Sequence, residues 1–422
     1  MVLSYSRKVK TILCIVLLSI SQVAMAQGNS LNIDTCYAMA RRNYPIIKQF
    51  ALIERSKEYT ISNANKAYLP QVSVTAIGGF IGGLPSSGGE SESGNLTFIG
   101  VGQINQNIWD GGTTRVQKDI AVANAEVEEA NIEVQLYSLR DRMNQIYFGI
   151  LLLDEQKQQL DTLLQNLNRT LKNSKLSMEN GLAYQSDVDE VHAEVLRAEQ
   201  NLIASSFARK GYVEMLSHLI GKTLREDVRL QSPQTIESTS TWTSRRPELN
   251  LFASQQRLLE LQSNMNKVGN MPKLGLVGFA TIIEPGVSFG PSSLSNVYVG
   301  GLSLSWNTGN LYKTSNNRQL DKIQMAKINN QQEVFTFNNN LQLKQSNSEI
   351  EKQKAIVSKD KEIILLKKKI TQSYQLKYNN GLASMTDLIN SVYKESEARN
   401  AQSLHEVQLL LALYNYKTAT GN

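Results

Sequence analysis

Asn180-Gly181-Leu182-Ala183 recurs 200 positions later as Asn380-Gly381-Leu382-Ala383, and this repeat decides how the chain is organised. Asp187 returns as Asp387 and Gly221 as Gly421 at the same offset. Pro45 and Pro70 lie 25 apart, as do Pro247 and Pro272, offset by 202. Trp109-Asp110-Gly111 has a relative in Trp306-Asn307-Thr308-Gly309, offset by 197, a drift that a short indel explains. A four-residue identity in register with several other matches marks an internal duplication.

Each Asn-Gly pair punctuates a very long helical pattern. From Thr113 to Glu179 there is no Pro and one Gly, Gly149; from Asn310 to Asn379 there is neither. At 1.5 Å per residue each segment reaches about 100 Å as one continuous helix. Val116, Ile120, Ala123, Val127, Ala130, Val134 and Tyr137 alternate spacings of four and three, a coiled-coil seam in which Ala lets backbones approach. The opposite face is rich in Asn, Gln, Glu and Lys and borders water. After each Asn-Gly a second helix returns to Gly221 or Gly421, which makes an αα-hairpin with Gly in the left-handed position.

Ahead of each hairpin lie one more helix, Tyr44 to Ala67 or Glu248 to Lys267, and a Gly/Ser-rich stretch with strand character. Val72, Val74, Ala76 and Phe80 alternate with Gln71, Ser73 and Thr75; Leu302, Leu304 and Trp306 alternate with Gly301, Ser303 and Ser305. Loops fall at Gly82 to Gly94 and Glu284 to Ser295. The reading is therefore 27–221 for the first copy, with strands about 71–82 and 95–109 and a tip about 180–183. A polar inter-repeat segment, 222–246, separates it from the second copy, 247–422, with strands about 273–283 and 296–307 and a tip about 380–383.

The amino terminus reads as an export signal over residues 1–26. Arg7, Lys8 and Lys10 form a basic region, Ile12 to Ile20 a short apolar run, and Ala24-Met25-Ala26 a cleavage site. Removing it takes three positive charges from a balance of 44 basic and 38 acidic residues, leaving a net charge of +3, which is no nucleic-acid footprint. Cys36 alone remains, so neither an internal disulfide nor a thiol metal cluster is expected. No later apolar run approaches the roughly 20 residues of a spanning helix, so any membrane entry is by β-barrel strands. Four strands cannot close a barrel, which needs about eight. Two open edges in lipid would cost tens of kcal/mol at several kcal/mol per unpaired group. Chains must therefore share one barrel.

Signal, duplicated helix–strand–strand–helix–helix plan and Gly-Leu hairpin turns together resemble the TolC family of outer membrane efflux proteins, over essentially residues 30–422. The resemblance implies a mainly α chain with membrane β-barrel strands. Three copies would form a twelve-stranded barrel in the outer membrane, continued by a long α-helical tunnel in the periplasm. It also implies work as the exit duct of a tripartite efflux or type I secretion system, with a periplasmic adaptor and, indirectly, an inner-membrane pump. No enzyme activity, cofactor or metal goes with it. A competing class, an exported structural or adhesive coiled-coil protein, explains the long helices but not the duplicated strand pairs.

Several residues carry a bland and a functional reading together. Gly181 and Gly381 are turn glycines; with Leu182 and Leu382 they also match the family's adaptor-contact tip. Asp187 and Asp387 suit helix N-capping. By the resemblance Asp387 lines the closed entrance, where threefold symmetry makes an acidic ring. The family's next acidic position is Asn390 here. Ser186, Asp187 and Tyr378 match partners in the family's polar latch, whose Arg is replaced by Ala383. Trp109 and Trp306 fit either strand–helix packing or an aromatic membrane-interface girdle. Gly221-Lys222-Thr223 lacks the first glycine of a phosphate loop, since position 216 is Leu216. His192, His218 and His405 stand isolated on helices, and no nucleophile–base set is readable.

Overall fold

The computed structural model describes residues 31–81, 95–233, 244–285 and 295–421. The export signal, most of the two strand-connecting loops and part of the inter-repeat segment lie outside the described residues. The elements are α1 (Ile33–Asn43), α2 (Gln49–Asn65), β1 (Gln71–Ile81), β2 (Asn95–Trp109), α3 (Thr113–Tyr137), α4 (Leu139–Glu179) and α5 (Gln185–Ile220). The second copy contributes α6 (Pro247–Val268), β3 (Lys273–Pro285), β4 (Ser295–Ser305), α7 (Thr314–Asn379) and α8 (Met385–Thr420). Two compact units result, and neither is a sequence copy: one holds residues up to 47, 135–246 and 338–422, the other 48–134 and 247–337.

In the second of these units the four strands form one antiparallel sheet in the order β1-β2-β3-β4. The β2–β3 ladder joins the two copies, with Gly102 opposite Ala280 and Ile104 opposite Gly278. Register places Val72, Val74, Ile104, Leu276, Leu302 and Leu304 on one face, and all six are exposed. The other face carries Gln71, Ser73, Gln103, Asn105 and Ser303 among Val and Phe. β1 and β4 are each paired on one side only, so two strand edges stay open. No helix among the described residues is long and apolar enough to cross a membrane.

The other unit is helical. Met143, Tyr147, Phe148 and Ile150 of α4 pack with Val213, Leu216 and Ile220 of α5, Cys36 and Ala40 of α1, and Tyr414 of α8. Burying one such large side chain contributes roughly 1.5–3 kcal/mol. Gly149 faces Tyr212, where an added Cβ would come within 2.8 Å of the ring, so close helix contact explains the one glycine of the long pattern. The Tyr147 hydroxyl lies 2.8 Å from the Leu31 carbonyl oxygen and 2.7 Å from that of Gln231, fastening the parallel bridge between Leu31 and Leu230. The inter-repeat segment is otherwise irregular through Pro233 or tied down by Arg209, which holds Asp154 at 2.5 Å and the Val228 carbonyl at 2.6 Å.

Three expectations are corrected. The 113–179 pattern is two helices, not one: it is interrupted at Ser138, whose hydroxyl donates to the Gln135 carbonyl at 2.7 Å. α3 carries a second buried stripe, Ala121, Ala125, Ile132 and Leu136, beside the expected seam. The first helical region begins at Ile33, capped by Asn32, which accepts from the Thr35 N–H at 2.7 Å; Pro45 then starts a short 3-10 turn before α2.

Candidate functional site

The two hairpin tips belong to the helical unit, and each is closed in the same way. Gly181 and Gly381 take φ of 70° and 72°, a region open to glycine at little strain. The Gly181 N–H reaches the Met178 carbonyl at 2.9 Å and the Leu182 N–H reaches Ser177 at 2.8 Å. At the second tip Gly381 bonds Tyr378 at 3.0 Å and Leu382 bonds Lys377 at 2.8 Å. This is the paired hydrogen-bond pattern of a Schellman C-cap. The motif often packs the residue after the glycine on a residue five or six positions earlier. At the first tip those positions are Ser177 and Leu176, at the second Lys377 and Leu376. Leu182 remains 82% exposed and Leu382 77% exposed. Leu176 and Leu376 are exposed as well.

Both aspartates cap their returning helices. Asp387 and Ser384 form a reciprocal box: the Asp387 N–H donates to Ser384 Oγ at 3.1 Å, and the Ser384 N–H donates to Asp387 Oδ2 at 3.1 Å. The Ser384 hydroxyl also donates to Asp387 Oδ2 at 2.7 Å. That hydroxyl and the backbone N–H hold the Asp387 carboxyl below the ordinary carboxylate range. Asp387 is exposed to solvent. At the first tip Tyr184 replaces the serine, and Asp187 Oδ2 accepts only the Tyr184 N–H, at 3.1 Å. Ser186 is exposed.

Tyr378 is half-buried against Val191, Met385, Leu388 and Ile389. Burial first, and then the Asp187 charge, raise its phenol above the ordinary value. Asp187 and Tyr378, from different copies, are thus electrostatic neighbours. Among the described residues no hydrogen bond joins Ser186, Asp187 and Tyr378 to one another. What does cross between the copies is Thr386, whose hydroxyl donates to Glu190 Oε2 at 3.0 Å, and Tyr393, which reaches the Glu194 carbonyl at 3.4 Å. Sequence reasoning missed both, since neither pair shares a local motif. Behind the tips a groove of about 760 Å³ opens between α4, α7 and α8, with Arg169, Lys368 and Arg399 on its walls. His405, expected to stand alone, instead pairs with buried Asp360 at 2.7 Å.

In the sheet unit, Trp109 and Trp306 are both exposed at strand ends. A register shift between Asn107 and Trp109 sets Trp109 opposite Leu274, on the apolar face. Without that shift the alternation would have turned it to the polar face. Trp306 donates its indole N–H to the Asn270 carbonyl at 3.0 Å. Beside Trp109, Asp110 is buried and receives the Tyr68 hydroxyl at 2.9 Å, the Gly112 N–H at 3.0 Å and the Thr114 N–H at 2.7 Å.

Residues 36–222 match the family described as outer membrane efflux protein. No curated protein sequence matches the chain significantly. Among solved structures, the outer-membrane channel OprN superposes with a TM-score of 0.68 at 15% identity, covering 92% of this chain and 89% of that one. The CmeC outer membrane channel of Campylobacter jejuni gives 0.66 at 13% identity, covering 92% and 85%. The outer membrane protein VceC of Vibrio cholerae gives 0.64 at 13% identity, covering 92% and 96%. The TolC-like resemblance seen in the sequence therefore holds: the family match spans the first copy, and the shared fold spans both.

Proposed function

We propose that this chain, with its outer membrane efflux family match and the fold of such channels, is one protomer of a homotrimeric outer-membrane exit duct. The observation that carries the reading is the four-stranded sheet with two open edges and an exposed apolar face. β1 and β4 are 11 residues each, and unpaired groups on such edges would cost tens of kcal/mol in lipid at several kcal/mol apiece. Three copies joined edge to edge give twelve strands and no edge. Trp109 and Trp306 then sit at the membrane interface, and the two copies, 27–221 and 247–422, contribute equally around the ring, with 222–246 at its equator.

The duct serves a tripartite efflux or type I secretion system and performs no chemistry of its own. Leu182 and Leu382, with their turn glycines, form the surface that a periplasmic adaptor meets; the inner-membrane pump acts through that adaptor. Asp387 lines the narrow end, where threefold repetition makes a ring attractive to cations. Asp187, Ser186 and Tyr378 border it. The capping role of both aspartates fixes where their second carboxylate oxygens point and is compatible with the gate role. Reconstitution in planar bilayers tests the reading: trimers should conduct ions. Folded trimers that leave the bilayer silent, whatever side they are added from, would contradict it.

A further inference from the structure

The two faces of the sheet differ in a way that a water-filled duct does not require. Trp109 and Tyr298 are exposed toward opposite ends of the face that carries Val74, Leu302 and Leu304, so that face is the one suited to lipid. The opposite face then lines the barrel, where side chains are ordinarily polar. Here only the end nearest the helices follows that rule, with Gln103, Asn105 and Ser303. From the row of Gln103 outward the same face carries Ile77, Ile99, Val101, Phe279, Val297 and Val299. Ile77, Phe279, Val297 and Val299 are exposed. Lys273, at the helix end, is the one charged residue of this face among the described residues.

One row across the sheet brings the two chemistries together. Gln103 of β2 lies opposite Phe279 of β3, and Phe279 lies opposite Val299 of β4. With strands about 4.8 Å apart, amide, ring and valine together span about 10 Å. Asn105 stands two residues from Gln103 on the same face, and the Gln103 amide donates to its carbonyl oxygen at 3.3 Å. That leaves the Gln103 carbonyl oxygen and the Asn105 amide N–H groups directed at whatever fills the barrel. Two residues from Val299, Gly301 leaves a recess, since a Cβ there would meet nothing within 4 Å.

We propose that this row is a subsite for uncharged amphipathic small molecules inside the barrel. An aryl or alkyl body lies on Phe279 and Val299, and a hydroxyl or carbonyl end meets Gln103 and Asn105. The inference rests on the trimeric channel reading above and adds to it a substrate class and the residues that touch it. The row offers a charged solute no counter-charge, whereas an apolar body that covers it removes apolar surface from water on both sides. A polypeptide, about one quarter of whose residues are ordinarily charged, fits such a wall poorly. A twelve-stranded barrel with strands about 4.8 Å apart and tilted about 40° is about 24 Å across, and side chains about 5 Å deep leave roughly 14 Å. A molecule held along one row therefore lies on one wall and leaves part of the opening clear.

Planar-bilayer recordings of the full-length trimer test the subsite. The probe is para-nitrophenyl β-galactoside, an uncharged aryl ring on a sugar, which should reduce the open-channel current reversibly and in part. Its apparent dissociation constant should be at least about threefold lower than those of methyl β-galactoside, which lacks the ring, and para-nitrophenyl β-glucuronide, which carries a carboxylate. Phe279→Ser should weaken the block by about three- to tenfold, the worth of one aromatic contact. Val297→Thr with Val299→Thr keeps β-branching and strand preference, should assemble as the wild type does, and should weaken the block in the same direction. Conducting trimers on which all three probes act alike, or on which the threonine variant leaves the block unchanged, overturn the subsite and leave the channel reading standing. Inserted trimers that do not conduct overturn both.

Discussion

Replacing Leu182 and Leu382 together by Asp separates a structural from a docking role for the tips. The two side chains are 82% and 77% exposed, so about four-fifths of each is available to a partner. Fully burying a leucine is worth roughly 1.5–3 kcal/mol, which leaves about 1.2–2.4 kcal/mol per residue here. That corresponds to a loss of about 7- to 50-fold in affinity per leucine, at 1.4 kcal/mol per factor of ten, before the cost of burying the new carboxylate. The protomer itself should change by no more than about 0.5 kcal/mol, since the substitutions touch only exposed surface and both turn glycines remain. Export, trimerisation and membrane insertion should therefore be normal, while capture of the periplasmic adaptor and efflux-dependent resistance fall together. Pull-down from membranes with quantified trimer on both sides is the assay. A normal double-mutant trimer that recruits its adaptor at wild-type levels refutes the docking assignment. Loss of the trimer itself would refute the claim that these leucines contribute nothing to hairpin stability.

Asp387→Ala should change cation selectivity, or tip-side block by multivalent cations, in planar-bilayer recordings; traces identical to wild type would remove Asp387 from the gate. Because the Ser384 hydroxyl lowers the Asp387 pKa, the capping contribution is full above the unfolded-state pKa and fades as pH falls through the lower folded value. Ser384→Ala should raise the Asp387 pKa in an NMR titration and move any acid loss of cation block to higher pH; an unmoved pKa would contradict the box. Asp110→Ala should cost about 1–3 kcal/mol by leaving the Tyr68 hydroxyl and the Gly112 and Thr114 N–H groups without their acceptor, read as lower thermal stability of the inserted trimer. Unchanged melting would show that water replaces the carboxylate there.

The hairpins, their tips and the four strands could be read from the sequence because each has a local physical signal. The signal is alternation around Val72 and Leu302, an unbroken helical pattern before Asn180 and Asn380, and glycine where φ turns positive. The interruption at Ser138 is not legible, because neither Gly, Pro nor a change of hydrophobic spacing marks it. The β2–β3 ladder joins residues more than 150 positions apart, and neither strand signals its partner. The same holds for Thr386 with Glu190 and for His405 with Asp360. At the site, exposure of Leu182 and Leu382 could be anticipated from the polar hairpins. Trp109 stands out by its repeat, but the register shift that turns it to the apolar face appears only in the ladder.

Native mass spectrometry of the detergent-extracted protein tests the central claim most directly. Open edges at β1 and β4 and the exposed apolar sheet face require a species of three copies. A well-folded monomer as the sole species would contradict it.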